Sequence, residues 1–162
     1  MKRIVLAGLM MFAGMAAQAD VTRHPLPNNS TFPIAQAVEV TSDTTLIYHS
    51  GQLPAVANPD ADKNSREYYG DTETQALSVF KKFATSFENL GVGFGDVVKM
   101  TVFLVGDPEL DGRMDFGGFM KAYVLYFGTE EQPNKPARSA FQIAGLARPN
   151  VFIEIEMVIA RP

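Results

Sequence analysis

Over residues 72–90 the apolar side chains Ala76, Phe80, Phe83, Phe87 and Leu90 recur at spacings of four, three, four and three, which marks a helix with one buried face. Thr72 with Gln75 fits a capping box at its start, and Gly91 fits the left-handed position just past its end. The phenylalanine stripe reads as core packing rather than as a cofactor pocket. A second helix is predicted over residues 116–127, burying Phe116, Phe119, Tyr123 and Phe127, although Gly117 and Gly118 weaken its first turns.

Elsewhere the period is two. Residues 97–105 place Val98, Met100, Val102 and Leu104 on one face of a strand. Residues 38–40 and 46–49 are short β-prone runs flanking Thr41-Ser42-Asp43-Thr44 and read as a hairpin, with Ser50-Gly51-Gln52-Leu53-Pro54 stopping its second strand. Residues 138–146 and 151–160 read as another pair of strands joined by the turn Ala147-Arg148-Pro149-Asn150. In the last strand Val151, Ile153, Ile155, Met157 and Ile159 share one face, leaving Phe152, Glu154, Glu156 and Val158 on the other. That mixed face suits either cover by another subunit or partial exposure with scattered apolar residues. Residues 20–35, with Pro25, Pro27 and Pro33, suit an extended arm, and residues 55–71 a long surface loop. The order hairpin, helix, strand, helix, hairpin predicts an α+β two-layer domain: a mixed β-sheet with both helices packed on one face.

The first residues belong to a different pattern. Met1-Lys2-Arg3 is a basic start, residues 4–16 are an apolar run, and Ala17-Gln18-Ala19 has the small residues a signal peptidase reads. The expectation is a signal peptide over residues 1–19 and one domain over 20–162, in the periplasm or secreted. The alternative, a membrane anchor, needs an apolar run of roughly 20 residues, and this one is shorter.

The chain carries 14 basic and 18 acidic residues, a net charge of −4. Loss of Lys2 and Arg3 would leave 12 basic residues and a charge of −6. An acidic protein without a Lys/Arg cluster is a poor match for a nucleic-acid partner, since affinity for phosphate backbones comes from basic side chains that displace counterions. There is no cysteine, which removes disulfides, a thiolate nucleophile and thiolate-bound metals. His24 and His49 stand outside any HxxxH or HExxH pattern, so no metal site is expected. Both read as surface or strand residues.

Several segments together resemble one family. Ser50-Gly51-Gln52-Leu53-Pro54 resembles the signature that follows the second strand in Rid (YjgF-like) proteins, also called the endoribonuclease L-PSP family. Residues 96–104 resemble that family's passage from first helix to next strand, and Pro136-Ala137-Arg138-Ser139 followed by Glu154-Ile155-Glu156 resembles its C-terminal signature. Tyr123 with Tyr126-Phe127 falls where such proteins place aromatics in the second helix. The resemblance covers nearly all of residues 20–162, in the same order.

The resemblance implies a chorismate-mutase-like fold, a homotrimer whose sheets line a central barrel, and clefts between subunits that bind a small carboxylate, a 2-imino or 2-keto acid, without any cofactor. It makes Arg138 the clamp for that carboxylate, a role that suits the planar guanidinium fork; an interface salt bridge to Glu154 or Glu156 is the alternative. Glu154 is implied as the catalytic carboxylate, with Glu156 as fallback; a glutamate merely pairing with Arg138 is equally open. Gly51 and Ala140 are implied as backbone N–H donors to the substrate, although Gly51 also suits a simple turn. Two positions depart from the pattern of the deaminating members: Ile34 stands for an arm tyrosine and Met120 for a helix asparagine. The enzyme reading is hydrolysis of 2-imino acids to 2-keto acids and ammonia. The binding reading is a periplasmic carboxylate-binding homologue that keeps the cleft and has lost the chemistry. A ribonuclease reading is opposed by the acidic balance and the lack of a histidine pair.

Overall fold

The structure, a computed structural model, describes residues 21–161; the proposed signal segment lies outside them. Strands β1 (Val21–His24) and β2 (Ala37–Val40) form a two-stranded ladder of their own. The main sheet contains β3 (Thr45–Gln52), β4 (Val97–Asp107), β5 (Arg113–Met114), β6 (Ala137–Ile143) and β7 (Ile153–Arg161). Its order is β3-β7-β4, with β6 parallel to β4 on the far edge and short β5 pairing the end of β4.

Helices α1 (Thr72–Leu90) and α2 (Phe116–Tyr123) cover one face. Between them and the sheet lies a core of Phe80, Phe83, Phe87, Phe119, Tyr123, Met100, Val102, Leu104, Ile153, Ile155, Met157 and Ile159, each at most 2 % exposed. The two-layer α+β expectation therefore holds, as does the split of the last strand into an apolar and a mixed face.

Strand pairing departs from the expected hairpins. Thr44 N–H donates to the Thr41 carbonyl at 3.2 Å, so the chain does turn between β2 and β3. The turn leads from one sheet to the other: β2 pairs with β1, and β3 pairs with β7. The arm is accordingly extended at its start, where it forms a paired strand. Likewise β6 and β7 do not pair with each other. Because β4 and β6 are parallel, they need a crossover, which α2 supplies, and β7 then takes the free side of β4. Strand β3 also runs on to Gln52, past the expected stop at Ser50, through a shift of register between His49 and Gln52.

The helix ends differ in detail. Asp71 caps α1, its carboxylate accepting from Thr74 N at 2.8 Å, so Thr72 and Gln75 do not form the expected capping box. Gln75 is buried and spends its amide elsewhere: it donates to the carbonyls of Gly70 at 2.9 Å and Asn150 at 2.8 Å and accepts from Phe152 N at 2.7 Å. It thereby ties the entry of β7 to α1. Gly91 does end α1 in the left-handed region, at φ 67°. Helix α2 stops four residues early, as Leu125 and Tyr126 donate three residues back, to Ala122 and Tyr123. Such tightening is common in a last turn, and it still delivers Phe127 to the core.

The 55–71 loop is pinned rather than loose. Arg66, in a single helical turn (Arg66–Tyr68), pairs with the buried carboxylate of Asp107 at the end of β4 and lies 5.2 Å from the centre of the Phe152 ring.

Candidate functional site

The expected site residues fall into two groups on opposite faces of the sheet. Arg138 and Ala140 lie on β6, opposite Met100 and Val102 of β4, and so face the helices. Glu154 and Glu156 lie on β7, opposite Phe103 and Thr101, and so share the uncovered face. Strand β4 separates them. Within one chain, then, Arg138 is not paired with Glu154 or Glu156, and among the described residues it makes no salt bridge at all.

What surrounds Arg138 instead is aromatic. Its guanidinium carbon lies 4.3 Å from the ring centre of Tyr123, 5.1 Å from Phe119, 5.4 Å from Phe32 and 5.6 Å from Phe116. Met120 Sδ accepts from its Nη1 at 3.2 Å. Cations are held by ring faces at such distances. Burial pulls the Arg138 pKa below the ordinary guanidinium value, with Tyr123 partly offsetting the effect. Burial likewise raises the Tyr123 phenol. Tyr123 in turn donates its hydroxyl to the Pro33 carbonyl at 2.7 Å. This bond holds the arm down so that Phe32 can lie over Arg138. A half-buried cation with fixed walls and, among the described residues, no carboxylate partner is suited to receive an anion.

The other group is built around Gly51. It lies within the register shift of β3 and not in a left-handed turn, since its φ is not positive. Its need for glycine is close approach: a Cβ there would collide with Glu154 Oε1. Gly51 and Glu154 are thus in direct contact, a juxtaposition the sequence did not suggest, whereas Gly51 read as a turn residue is not supported. Glu154 makes no side-chain hydrogen bond or ion pair among the described residues. Beside it, Tyr48, Ser50, Lys99, Thr101, Glu156 and Val158 line an open groove of about 280 Å³ on the uncovered face.

The β3 end that carries Gly51 is fixed to α1 by three side chains at helical spacing. Ser86 Oγ meets His49 Nε2 at 2.8 Å, Lys82 Nζ donates to the Leu53 carbonyl at 2.8 Å, and Ser78 Oγ accepts from Ala55 N at 3.1 Å. His49 is therefore a strand residue with a positioning bond. Of the two departures from the family pattern, Met120 does lie against Arg138, but Ile34 lines a different cleft, with Arg23 and Lys135.

Sequence reasoning missed the box around Arg138. Phe32 lies 106 residues away in a proline-rich arm, and Phe116 and Phe119 carry the same helical spacing as core residues, so no local pattern marks them. The Arg66–Asp107 pair was equally invisible.

The family model described as Endoribonuclease L-PSP matches residues 15–161. A RutC family protein of Haemophilus influenzae is 32% identical over 129 residues, covering 80% of this chain and 87% of the relative. The 2-iminobutanoate/2-iminopropanoate deaminase of Escherichia coli K12 is 33% identical over 129 residues, 80% of this chain and 88% of the relative. Among solved structures, a Rid-family protein of unknown function from Yersinia pestis superposes with a TM-score of 0.62 at 20% identity, covering 86% of this chain and 98% of that one. A putative endoribonuclease from Thermotoga maritima gives 0.54 at 30% identity, covering 82% and 90%.

Proposed function

The chain belongs to the endoribonuclease L-PSP, or Rid, family, and on that premise we propose that it hydrolyses 2-imino acids to 2-keto acids and ammonia in clefts formed between copies of itself. Relatives named as deaminases of 2-iminobutanoate/2-iminopropanoate and of 3-aminoacrylate support the reaction class. The observation that carries the reading is Arg138: a half-buried guanidinium, walled by rings, with no carboxylate partner among the described residues of its own chain.

In this reading the Arg138 fork binds the substrate carboxylate through two parallel hydrogen bonds. The backbone N–H groups of Ala140 and of a neighbouring copy's Gly51 complete the cradle. Glu154, brought by that copy, accepts a proton from water as the water oxygen bonds to the C=N carbon. That proton passes to nitrogen to give the carbinolamine; the hydroxyl proton, taken up by Glu154 and passed on in the same way, then completes ammonia, which leaves as the C–N bond breaks and the C=O forms. No electrons are exchanged with a third party. A homotrimer is part of the proposal, because one chain keeps Arg138 and Glu154 on opposite faces.

Ammonia release from imines generated in situ by an amino-acid oxidase tests it. Glu154→Gln should lower kcat by about 10²–10⁴-fold, the range for loss of a general acid–base group, while leaving ligand binding in place. Equal turnover by wild type and Glu154→Gln would overturn the assignment. A second reading, a carboxylate-binding protein without turnover, is favoured by one contact: the apolar Met120 sulfur occupies an Arg138 donor. No ammonia above background with intact binding would select it. Export belongs to the same proposal, and intact mass of protein from the periplasm or medium should begin at Asp20; uncleaved cytoplasmic protein alone would refute it.

A further inference from the structure

A second cleft, of about 250 Å³, lies between the arm and the turn before β6. Arg23, His24, Pro25 and Leu26 form one wall, Ser30, Ile34 and Ala35 another, and Pro133, Asn134 and Lys135 close it. Three of these side chains are basic or can become so, and among the described residues no carboxylate lines the cleft. That is a marked local inversion in a chain whose net charge is −4.

The acids nearby are engaged at its margins. Glu39 Oε2 sits 3.5 Å from His24 Nε2, and Asp96 is the carboxylate that acts on Arg23. Asp96 is itself committed, accepting from Gly93 N at 2.8 Å.

The two permanent cations are held differently, and both have capacity to spare. Arg23 is anchored by Nη2, which donates to the carbonyls of Gly95 at 2.8 Å and Val97 at 3.1 Å. Its Nε is buried and has no acceptor among the described residues. Buried, it is shielded from any occupant of the cleft as it is from water; the donor left for an anion is Nη1, which makes no hydrogen bond among the described residues. Lys135 runs its stem past Gly128, where a Cβ would lie 3.1 Å from Lys135 Cε. Its ammonium makes no hydrogen bond or ion pair among the described residues. Asn134 shares the Gly95 carbonyl with Arg23, donating to it at 3.1 Å, which ties the Pro133–Lys135 wall to the Arg23 wall. The remaining lining is Ser30 and the apolar Pro25, Leu26, Ile34, Ala35 and Pro133.

We propose that this cleft is a second anion site, for a small metabolite that carries a carboxylate or phosphate on a short apolar body. The anionic group lies between Arg23 and Lys135, and the body lies against Leu26, Ile34 and Pro133. The site is separate from Arg138 but shares a wall with it. Along the arm, Phe32 covers Arg138, the Pro33 carbonyl accepts from Tyr123, and Ile34 and Ala35 face the cleft. An occupant therefore braces the segment that roofs the Arg138 box.

Backbone-amide NMR on the whole protein tests this with two probes, inorganic phosphate and butyrate, which separate the phosphate source from the carboxylate source. At least one probe should give saturable shifts grouped at residues 23–26, 30–35 and 133–135. Lys135→Gln should weaken it about tenfold, as expected for loss of one charge-assisted hydrogen bond. Lys135→Arg should restore most of the affinity, and Arg138→Ala should change it less than about twofold, since no contact to Arg138 is involved. Non-saturating shifts with both probes, or affinity indifferent to Lys135→Gln, overturn the proposal. Shifts that vanish in Arg138→Ala also overturn it, by assigning the anion to the Arg138 box. None of these results bears on turnover, so the site and the deaminase reading fail separately.

Discussion

The two faces of the main sheet solve different problems with the same strands. On the helix side the chain supplies its own packing: Phe83, Met100, Ile153 and Ile155 are fully buried, and the cation Arg138 has four rings around it, though no carboxylate among the described residues. On the other side Tyr48 is 77% exposed and Phe141, packed edge-on against Phe103 at 5.4 Å, is 43% exposed. Glu154 waits there beside Gly51 without a partner. Apolar and aromatic groups left open next to carboxylates suit the proposed cover by another copy of the chain. The contrast separates the face that holds the buried core from the face on which the proposed assembly depends.

The widest separation between the faces should appear in stability. Phe83→Ala, inside the helix-covered core, should cost about 3–5 kcal/mol in denaturant unfolding. Phe141→Ala should cost the isolated subunit no more than about 0.5 kcal/mol, yet light scattering should show it shifting from trimer toward monomer. Equal losses from both, with no change in assembly, would erase the distinction.

A similar but smaller loss is expected at the pair that fastens the 55–71 loop to β4. Burial alone would raise the Asp107 pKa, but the hydrogen bond from Arg66 and the Glu109 N–H outweigh it, and the carboxyl is held below its ordinary value. A folded-state pKa that is depressed adds stability at neutral pH. This contribution is complete above the unfolded carboxylate value near about 3.9 and is lost as pH falls through the folded value. Asp107→Asn should cost about 3 kcal/mol at pH 7, the lower end for breaking a buried pair, because Arg66 can still reach water. The same variant should flatten the decline of stability below about pH 4.

The finest comparison concerns ligand. Calorimetry with a 2-keto acid should show Arg138→Ala losing at least about 1.5–3 kcal/mol of binding, and Arg138→Lys recovering only part, since an ammonium lacks the fork. Wild-type affinity in a trimeric Arg138→Ala would make the aromatic box a purely structural device.

Much of this was written locally. Helix α1, its glycine stop, the alternation of β4 and the apolar face of β7 follow from side-chain period, because burial of one face is a demand that neighbouring residues express together. The Gly51, Arg138 and Glu154 positions were legible through their motif segments. Pairing was not: residues 38–40 and 46–49 look like partners because a turn joins them, yet β3 gains more by pairing with β7 inside the main sheet. Nor could sequence tell that Phe32 would roof Arg138, that Gln75 would leave its cap to hold β7, or that Asp107 would bury a charge against Arg66. Each of these depends on contacts between residues 41 to 106 positions apart, whose worth exists only once the chain has closed around them. The sequence determined the elements, their faces and the chemistry each could carry. The tertiary structure decided which elements meet, and by placing Arg138 and Glu154 on opposite faces of the sheet it made the proposed site one that needs a second copy to close.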